Sequence, residues 1–301
     1  MTSICDTQTT TTRDLMPDWL LLVAPGVIWG ASFLFIAEGL KAIGPAGVTF
    51  VRIAIGFATL ALFPSAWKPI AREDWRGIIL LAVVWLAFPL TMFPFAEERV
   101  SSALTGMLNA AIPLFVALVT AVSDRRLPSR AISVGLGVGL AGAILIALPS
   151  MGEGESSMIG VMLILAALVA YGFALTIAKP LQQRNGVLPV IWRAQLVAVV
   201  LTAPLGIPDV LRASWTPRAL LSLLALGALG TAIAHVMITI ASGRVGPTRA
   251  SATTFLIPGV ALLLGVVILG ESVSPIAVAG CVVCVAGAWL IRRAQLAPLS
   301  R

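Results

Sequence analysis

The chain has 301 residues, of which 59% are hydrophobic and only 11% are charged. A water-soluble protein has about 25% charged residues, so this composition excludes a soluble enzyme, a nucleic-acid-binding module and a disordered chain. The net charge of +7 does not indicate a nucleic-acid partner, because the Lys and Arg residues are scattered through short gaps and form no basic face. The composition therefore predicts an all-α integral membrane protein.

Ten apolar stretches follow one another along the chain, and each is long enough to cross the hydrocarbon of a bilayer as a helix of about 20 residues. All thirteen Asp and Glu residues lie outside these stretches or at their edges. In chain order the predicted transmembrane helices are 19–37, 46–66, 77–96, 103–122, 131–149, 158–178, 187–207, 219–241, 250–269 and 275–291.

The Lys and Arg residues are distributed unequally over the gaps between the predicted helices. If the N-terminus is inside, the cytoplasmic segments hold 14 of the 20, the outer gaps hold 4, and Arg52 and Arg193 lie within helices. Cytoplasmic loops carry an excess of Lys and Arg, so both termini are predicted to be cytoplasmic in a multi-pass protein of the plasma (inner) membrane. Residues 1–18 are predicted to be a disordered cytoplasmic tail, and 292–301 a second cytoplasmic tail.

An internal duplication relates the two halves of the chain. Residues 96–146 align without gaps on 241–291 at a constant shift of 145, and 15 of the 51 positions are identical. Each half, 19–149 and 158–291, holds five predicted helices. Because five is odd, the second half enters the membrane from the opposite side, which makes the two halves inverted repeats. In secondary transporters such repeats surround a binding site near the midplane.

Several motifs carry a resemblance to a known family. The segment Val27–Phe33, with its Trp29-Gly30 pair, resembles the start of the drug/metabolite transporter (DMT) superfamily, specifically its EamA-type members. Val51-Arg52 and the segment 256–287 are similar to the family pattern as well. The resemblance implies an EamA/DMT-like transporter of ten helices that exports small metabolites or amphipathic compounds. One departure is that the first half has Arg125-Arg126 where the second has Gly270-Glu271, so no role common to both halves is assigned to Glu271.

Polar side chains on three predicted helices recur at helical spacing, which places each set on one face. In a membrane such a face points towards a partner helix or a water-filled cavity, and single Ser or Thr residues serve equally to join helices by weak hydrogen bonds. Aromatic residues on other helices could stack on a planar substrate, although packing is their commoner use. The candidate cavity residues are Trp29, Trp85, Thr105, Asn109, Tyr171, Thr231, His235, Thr239, Ser251 and Thr254.

His235 is the only histidine, and its ordinary titration range makes it a candidate proton relay. The alternative is a cavity-lining residue without a titration role. No carboxylate is predicted at mid-membrane, so the other candidates for proton coupling are Glu38, Glu97 and Glu98 at helix edges.

Three interior prolines, Pro89, Pro113 and Pro258, are predicted to kink their helices and are candidate hinges, with plain curvature as the alternative. Arg52 and Arg193 are expected to extend to the nearer interface, and attraction of an anion is the alternative.

Small residues are spaced closely on the fifth and tenth predicted helices, at Gly135, Gly139, Gly142, Gly280 and Gly287. They predict a close approach of these helices, within one chain or in a homodimer. Cys281 and Cys284 have the spacing of a metal or redox pair, but they lie in an apolar helix and are expected only to pack. No metal or other cofactor is predicted.

The preferred functional interpretation is a secondary transporter, with a small-molecule substrate and the lipid bilayer as its partners. The sequence has no phosphate-binding loop of the Walker type, so the chain itself is not expected to hydrolyse ATP. The alternatives are an intramembrane enzyme, for which the predicted helices offer no Asp-rich motif, and a non-transporting scaffold or receptor, for which the chain offers no long loop.

Overall fold

The computed structural model describes residues 16–123, 125, 127–152, 155–245 and 250–296. This part of the chain folds into helices joined by short connections, with no strand. We number ten helices in chain order: α1 Asp18–Leu40, α2 Pro45–Leu60, α3 Arg72–Glu97, α4 Ser102–Ser123, α5 Arg130–Gly152, α6 Glu155–Asn185, α7 Val187–Leu211, α8 Pro217–Val245, α9 Leu256–Leu269 and α10 Pro275–Leu296.

The described helices are those of a multi-pass membrane protein. Eight helical segments are long and apolar enough to cross a bilayer, and two shorter apolar ones, Pro45–Leu60 and Thr253–Leu269, accompany them. Many large apolar side chains on the outer faces are exposed, such as Leu205 and Val267, which suits a surface that faces lipid rather than water.

Several predicted boundaries are corrected by the structure. The second helix ends at Leu60 rather than at residue 66, and a 3₁₀ turn, Pro64–Trp67, follows it. The cause is Pro64, which has no N–H to donate and keeps the residue before it out of the helical region. The last helix continues to Leu296, five residues beyond its predicted end at 291. Residues 1–15 and 297–301, which make up most of the two predicted tails, lie outside the described residues.

Helices from the two halves of the chain pack against one another throughout the bundle. Helix α1 packs on α8 and on α9, while α6 packs on α3 and on α4. In addition, α2 packs on α7, α4 on α9 and α5 on α10. The halves are therefore interleaved rather than side by side.

The predicted close approach of the fifth and tenth helices is confirmed, and it occurs within one chain. A Cβ atom added to Gly142 would lie 2.3 Å from the backbone nitrogen of Cys284, and one added to Gly287 would lie 2.4 Å from the Cα atom of Gly139. Only glycine permits these backbones to come so near, because any side chain would occupy the space of the facing helix. Cys281 and Cys284 are buried free thiols on α10, as expected of packing residues.

The bundle has two ends, which we call proximal, where α1 begins, and distal, where α1 ends. At the distal end the Glu271 carboxylate accepts hydrogen bonds from the backbone N–H groups of Ser102 (2.8 Å) and Ala103 (2.9 Å) and so caps α4. Also at this end, Glu38 Oε2 lies 2.7 Å from Arg218 Nε, which joins α1 to α8. These contacts join α4 to the connection after α9, and α1 to α8, at the distal end.

Candidate functional site

A cavity of about 760 Å³ lies inside the bundle. Its walls come from eight helices or the turns that lead into them, and its deepest residues, such as Trp29 and Trp85, lie near the middle of their helices. Most of the lining is apolar, from side chains such as Phe33 and Ile257, and polar groups are interspersed among them. An apolar cavity with a few convergent polar groups is the usual form of a small-molecule site.

Eight of the ten candidate cavity residues line this cavity, and they come from six different helices or turns. The remaining two do not have an assigned place in it. Thr105 is completely buried on α4, where its hydroxyl donates to the carbonyl of Ser101 at 3.0 Å. The side chain of Ser251 lies outside the part that the structure describes. The eight that line the cavity are Trp29, Trp85, Asn109, Tyr171, Thr231, His235, Thr239 and Thr254.

The wall formed by α8 depends on a change of helix type. Residues Leu226–Ile233 form a π-helix, in which each turn holds more residues than in an α-helix. The wider turn leaves carbonyl groups to accept bonds from side chains of other helices. The indole Nε1 of Trp29 donates to Gly230 O at 3.0 Å, and Gln195 Nε2 donates to Thr231 O at 2.8 Å. These bonds hold α1 and α7 against α8 beside the cavity.

Two tryptophans meet the imidazole of His235 edge to face. The ring of Trp29 is centred 5.4 Å from that of His235 at an interplanar angle of 73°, and the ring of Trp85 is 5.7 Å away at 69°. Such T-shaped contacts are favourable aromatic arrangements. They fix the three rings at mid-bundle, where they form one side of the cavity wall.

Arg52 is the main correction to the predicted site. The expectation that it extends to an interface is wrong, because its side chain is buried and lines the cavity. It lies at the middle of α2, and its Nε donates to Thr231 Oγ1 at 2.9 Å. The Thr231 hydroxyl in turn donates to Leu226 O at 3.1 Å, within the π-helix. A signal for this was present in the sequence, since a charge at the centre of an apolar span is costly and usually functional.

Arg193 differs from Arg52. Its Nη1 donates to Ala66 O at 2.9 Å, which ties α7 to the 3₁₀ turn that follows α2. This residue is one turn and a half from the start of α7 and does not line the cavity. The two arginines within spans therefore have different surroundings.

All three candidate hinge prolines lie next to a departure from α-helical geometry. Pro89 follows a π-helical segment, Ala82–Ala87, and Pro113 follows a 3₁₀ turn at Asn109–Ala111. Pro258 follows a longer 3₁₀ turn at residues 251–255. Proline cannot donate the backbone bond that an α-helix requires, so the turn before it is free to widen or tighten.

The acidic residues at helix edges have separate environments. Glu38 is ion-paired with Lys41 at 2.8 Å as well as with Arg218, and Glu98 is near Arg99 at 3.4 Å. Glu97 is different, because both of its carboxylate oxygens are buried and have no hydrogen-bond partner in the described part of the chain. The described residues include no group of three or more His, Cys, Asp or Glu side chains that could hold a metal ion.

Comparisons with known proteins agree with this architecture. The profile of the EamA-like transporter family matches residues 17–148 and 158–293. A protein of Streptantibioticus cattleyicolor named "Probable terminal-alkyne amino-acid exporter" is 30% identical over 280 residues, which cover 91% of this chain and 93% of that protein. The uncharacterized inner membrane transporter YedA of Escherichia coli K12 is 27% identical, over 88% of this chain and 87% of its own length.

A chain in a solved crystal structure shares the fold. It superposes with a TM-score of 0.61 at 20% identity, over 93% of this chain and 99% of the other. Because the two family matches together span most of the sequence and the exporter aligns over nearly its full length, the chain belongs to the EamA-like transporter family.

Proposed function

We propose that the protein is a secondary transporter that binds small amphipathic metabolites in the central cavity and exports them by alternating access, without ATP hydrolysis. The observation that carries the proposal is the cavity itself, about 760 Å³ in volume and lined at mid-bundle by Trp29, Trp85, His235 and Arg52. Buried polar groups are costly in a membrane protein, and their convergence on an open space favours a solute-binding role over packing.

The shape of the cavity supports alternating access. Its lining continues from mid-bundle to Gln182, Val187 and Gly243, which lie near the proximal ends of α6, α7 and α8. At the distal end the contacts of Glu271 and Glu38 described above join helices to one another, and neither residue lines the cavity. With the proximal end in the cytoplasm, as the distribution of Lys and Arg predicts, this conformation is open to the cytoplasm.

An inverted repeat would supply the second conformation, and local helix geometry supports such a repeat. The π-helical segment Ala82–Ala87 of α3 corresponds, at the shift of 145, to residues 227–232, which lie inside the π-helix of α8. The 3₁₀ turn Asn109–Ala111 corresponds to 254–256, which include the last two residues of the 3₁₀ turn before α9. The packing of the helices shows the same correspondence. Helix α1 of the first half packs on α8 and α9, and its counterpart α6 packs on their counterparts α3 and α4. When two inverted repeats exchange their conformations, a central site that was open to one face of the membrane becomes open to the other.

Export, the plasma membrane and the cytoplasmic termini belong to the proposal. Export is supported by the name of the relative in Streptantibioticus cattleyicolor, and an inner-membrane location by the name of YedA. Formation of a homodimer remains a prediction; the glycine faces of α5 and α10 are already used within one chain.

Flux measurements test the transport proposal. Metabolites released by cells with and without the protein are compared by mass spectrometry, and those that differ are loaded into proteoliposomes without ATP. We expect flux through the wild-type protein and a lower flux through His235→Ala and through Asn109→Ala. Thr59→Ala is the matched control for Asn109, because each side chain donates to a carbonyl four residues earlier and only Asn109 lines the cavity. Wild-type flux in both cavity variants would contradict the proposed site.

Cysteine labelling tests the inverted repeat. Leu127 and Ser272 are exposed, occupy corresponding positions at the shift of 145, and lie in the connections after α4 and α9. Leu127→Cys and Ser272→Cys are made in a chain whose three native cysteines are replaced by alanine. A membrane-impermeant reagent should reach Ser272→Cys from outside intact cells and Leu127→Cys only after the membrane is opened. Labelling of both from the same side would refute the repeat.

A further inference from the structure

We infer that Arg52 forms an anion subsite in the cavity, and that the site takes an apolar or aromatic molecule bearing a single carboxylate. The inference rests on the proposed function, because it names the class of substrate that the cavity would hold. It depends on three observations: where the guanidinium lies, what already bonds to it, and which charges surround it.

The Arg52 guanidinium is only partly satisfied by the protein. Its Nε donates to Thr231 Oγ1 at 2.9 Å, whereas its terminal nitrogens, Nη1 and Nη2, have no acceptor in the described part of the chain. Nη2 is 4.0 Å from the position that a Cβ of Gly230 would take, beside the carbonyl that holds Trp29. The free edge of the guanidinium therefore lies at the cavity wall next to the tryptophan. A planar group whose two terminal nitrogens are both free to donate suits a carboxylate.

No carboxylate neutralises Arg52 directly. Within the described residues no Asp or Glu oxygen lies within 4.0 Å of its nitrogens, and none lines the cavity. The ionisable groups that interact with it electrostatically over longer distances are Glu97, Tyr171 and His235. A buried cation without a close counter-ion is unfavourable in a low-dielectric site, so an anionic ligand gains more there than in water.

The rest of the cavity defines the other part of the ligand. Beyond Arg52 the described lining contains no Lys and no other Arg, and apolar side chains such as Phe33, Leu90 and Phe93 dominate. A doubly charged phosphate would therefore keep one charge without a partner, and an ammonium group would meet no carboxylate. The lining thus favours one negative charge on an apolar or aromatic body. The hydroxyl of Tyr171 and the side chain of Asn109 supply further polar contacts.

Binding to the purified, detergent-solubilised protein tests the inference independently of transport. Three probes with a common phenyl body and different charge are used: phenylpropionate, phenylpropionamide and phenethylamine. Quenching of tryptophan fluorescence, or calorimetry, gives the affinities near neutral pH. We expect the acid to bind about tenfold or more tightly than the neutral amide and the cationic amine, as for a charge-assisted hydrogen bond. Equal affinity for the acid and the amide in the wild-type chain would overturn the inference.

Variants identify the residue responsible. Arg52→Gln should remove the preference for the acid over the amide, and Arg52→Lys should retain part of it because the charge remains. Arg193→Gln is the control, since Arg193 is also within a helix but lies outside the cavity. An acid preference that survives in Arg52→Gln would refute the assignment. If Arg52→Gln does not fold, the ratio of the affinities for the acid and the amide, measured in the wild-type chain and in Arg52→Lys, still tests the assignment.

The two proposals fail in different ways. Charge-selective binding that depends on Arg52, together with no flux of any probe or released metabolite in proteoliposomes, would refute the transporter proposal and leave the anion subsite in place. Flux of released metabolites without any preference for the acid over the amide would refute the anion subsite alone.

Discussion

The contact between α5 and α10 allows a stability prediction with a magnitude taken from the structure. In Gly142→Ala the new Cβ would lie 2.3 Å from Cys284 N, 2.6 Å from Cys284 Cα and 2.7 Å from Gly280 O. These are backbone atoms, which cannot rotate away, and ordinary contact begins at about 3.4 Å, so the helices must separate locally by about 1 Å. A gap of that size removes a quarter to a half of each contact energy, and overpacking of this kind costs roughly 1–3 kcal/mol.

Gly137→Ala on the same helix is the matched control. A Cβ at Gly137 would meet nothing within 4 Å, so only helix propensity changes, and the variant should be more stable by up to about 1 kcal/mol. The melting temperature of the detergent-solubilised protein measures both effects, and we expect opposite signs. Equal shifts in the two variants would refute the packing argument. No described residue of α5 or α10 lines the cavity, so flux per folded molecule should not change in either variant.

Two further predictions concern single hydrogen-bonding groups. Glu271→Gln keeps an acceptor for only one of the two N–H groups at the start of α4, turns an NH2 group towards the other, and loses the charge that favours a helix N-terminus, so the free energy of unfolding should fall by at least about 1 kcal/mol. Glu98→Gln, at an exposed pair, is the control, and an equal change in both would contradict the capping role. Trp29→Phe keeps an aromatic ring but removes the indole N–H that donates to Gly230 O. The melting temperature should therefore fall by an amount equivalent to about 1 kcal/mol. An unchanged melting temperature would show that the bond contributes nothing to stability.

The sequence was sufficient to predict the order of the helices and the residues that form one wall of the cavity. Helical spacing placed Thr231, His235 and Thr239 on one face of α8, and all three line the cavity. The same argument was less successful for α4, where Asn109 lines the cavity and Thr105 does not. The reason is that a polar stripe runs the length of its helix, whereas the described lining from α4 begins only at Asn109, seven residues after the start of the helix.

Other features depend on contacts between distant parts of the chain and could not be predicted from local patterns. The side chain of Arg52 is long enough to reach either an interface or the bundle interior, and only the position of Thr231 on another helix decides between them. The π-helices of α3 and α8 have no residue signature that distinguishes them from ordinary helix. Their recurrence at positions related by the shift of 145 becomes visible only once the type of each helix is known.

The π-helix of α8 makes the cavity sensitive to chain length in a way that single replacements would not reveal. Its carbonyl groups hold Trp29 and Gln195, and a change of side chain in Leu226–Ile233 leaves those acceptors where they are. Removal of one residue there would convert the wide turns to regular α-helix, which leaves the rest of α8 in its orientation but engages the carbonyl groups of Gly230 and Thr231 in bonds within the helix. Trp29 and Gln195 would then lose their acceptors beside the cavity, although neither had been altered. Between related chains, a one-residue gap at this point is therefore a larger functional difference than many exchanges of amino acid.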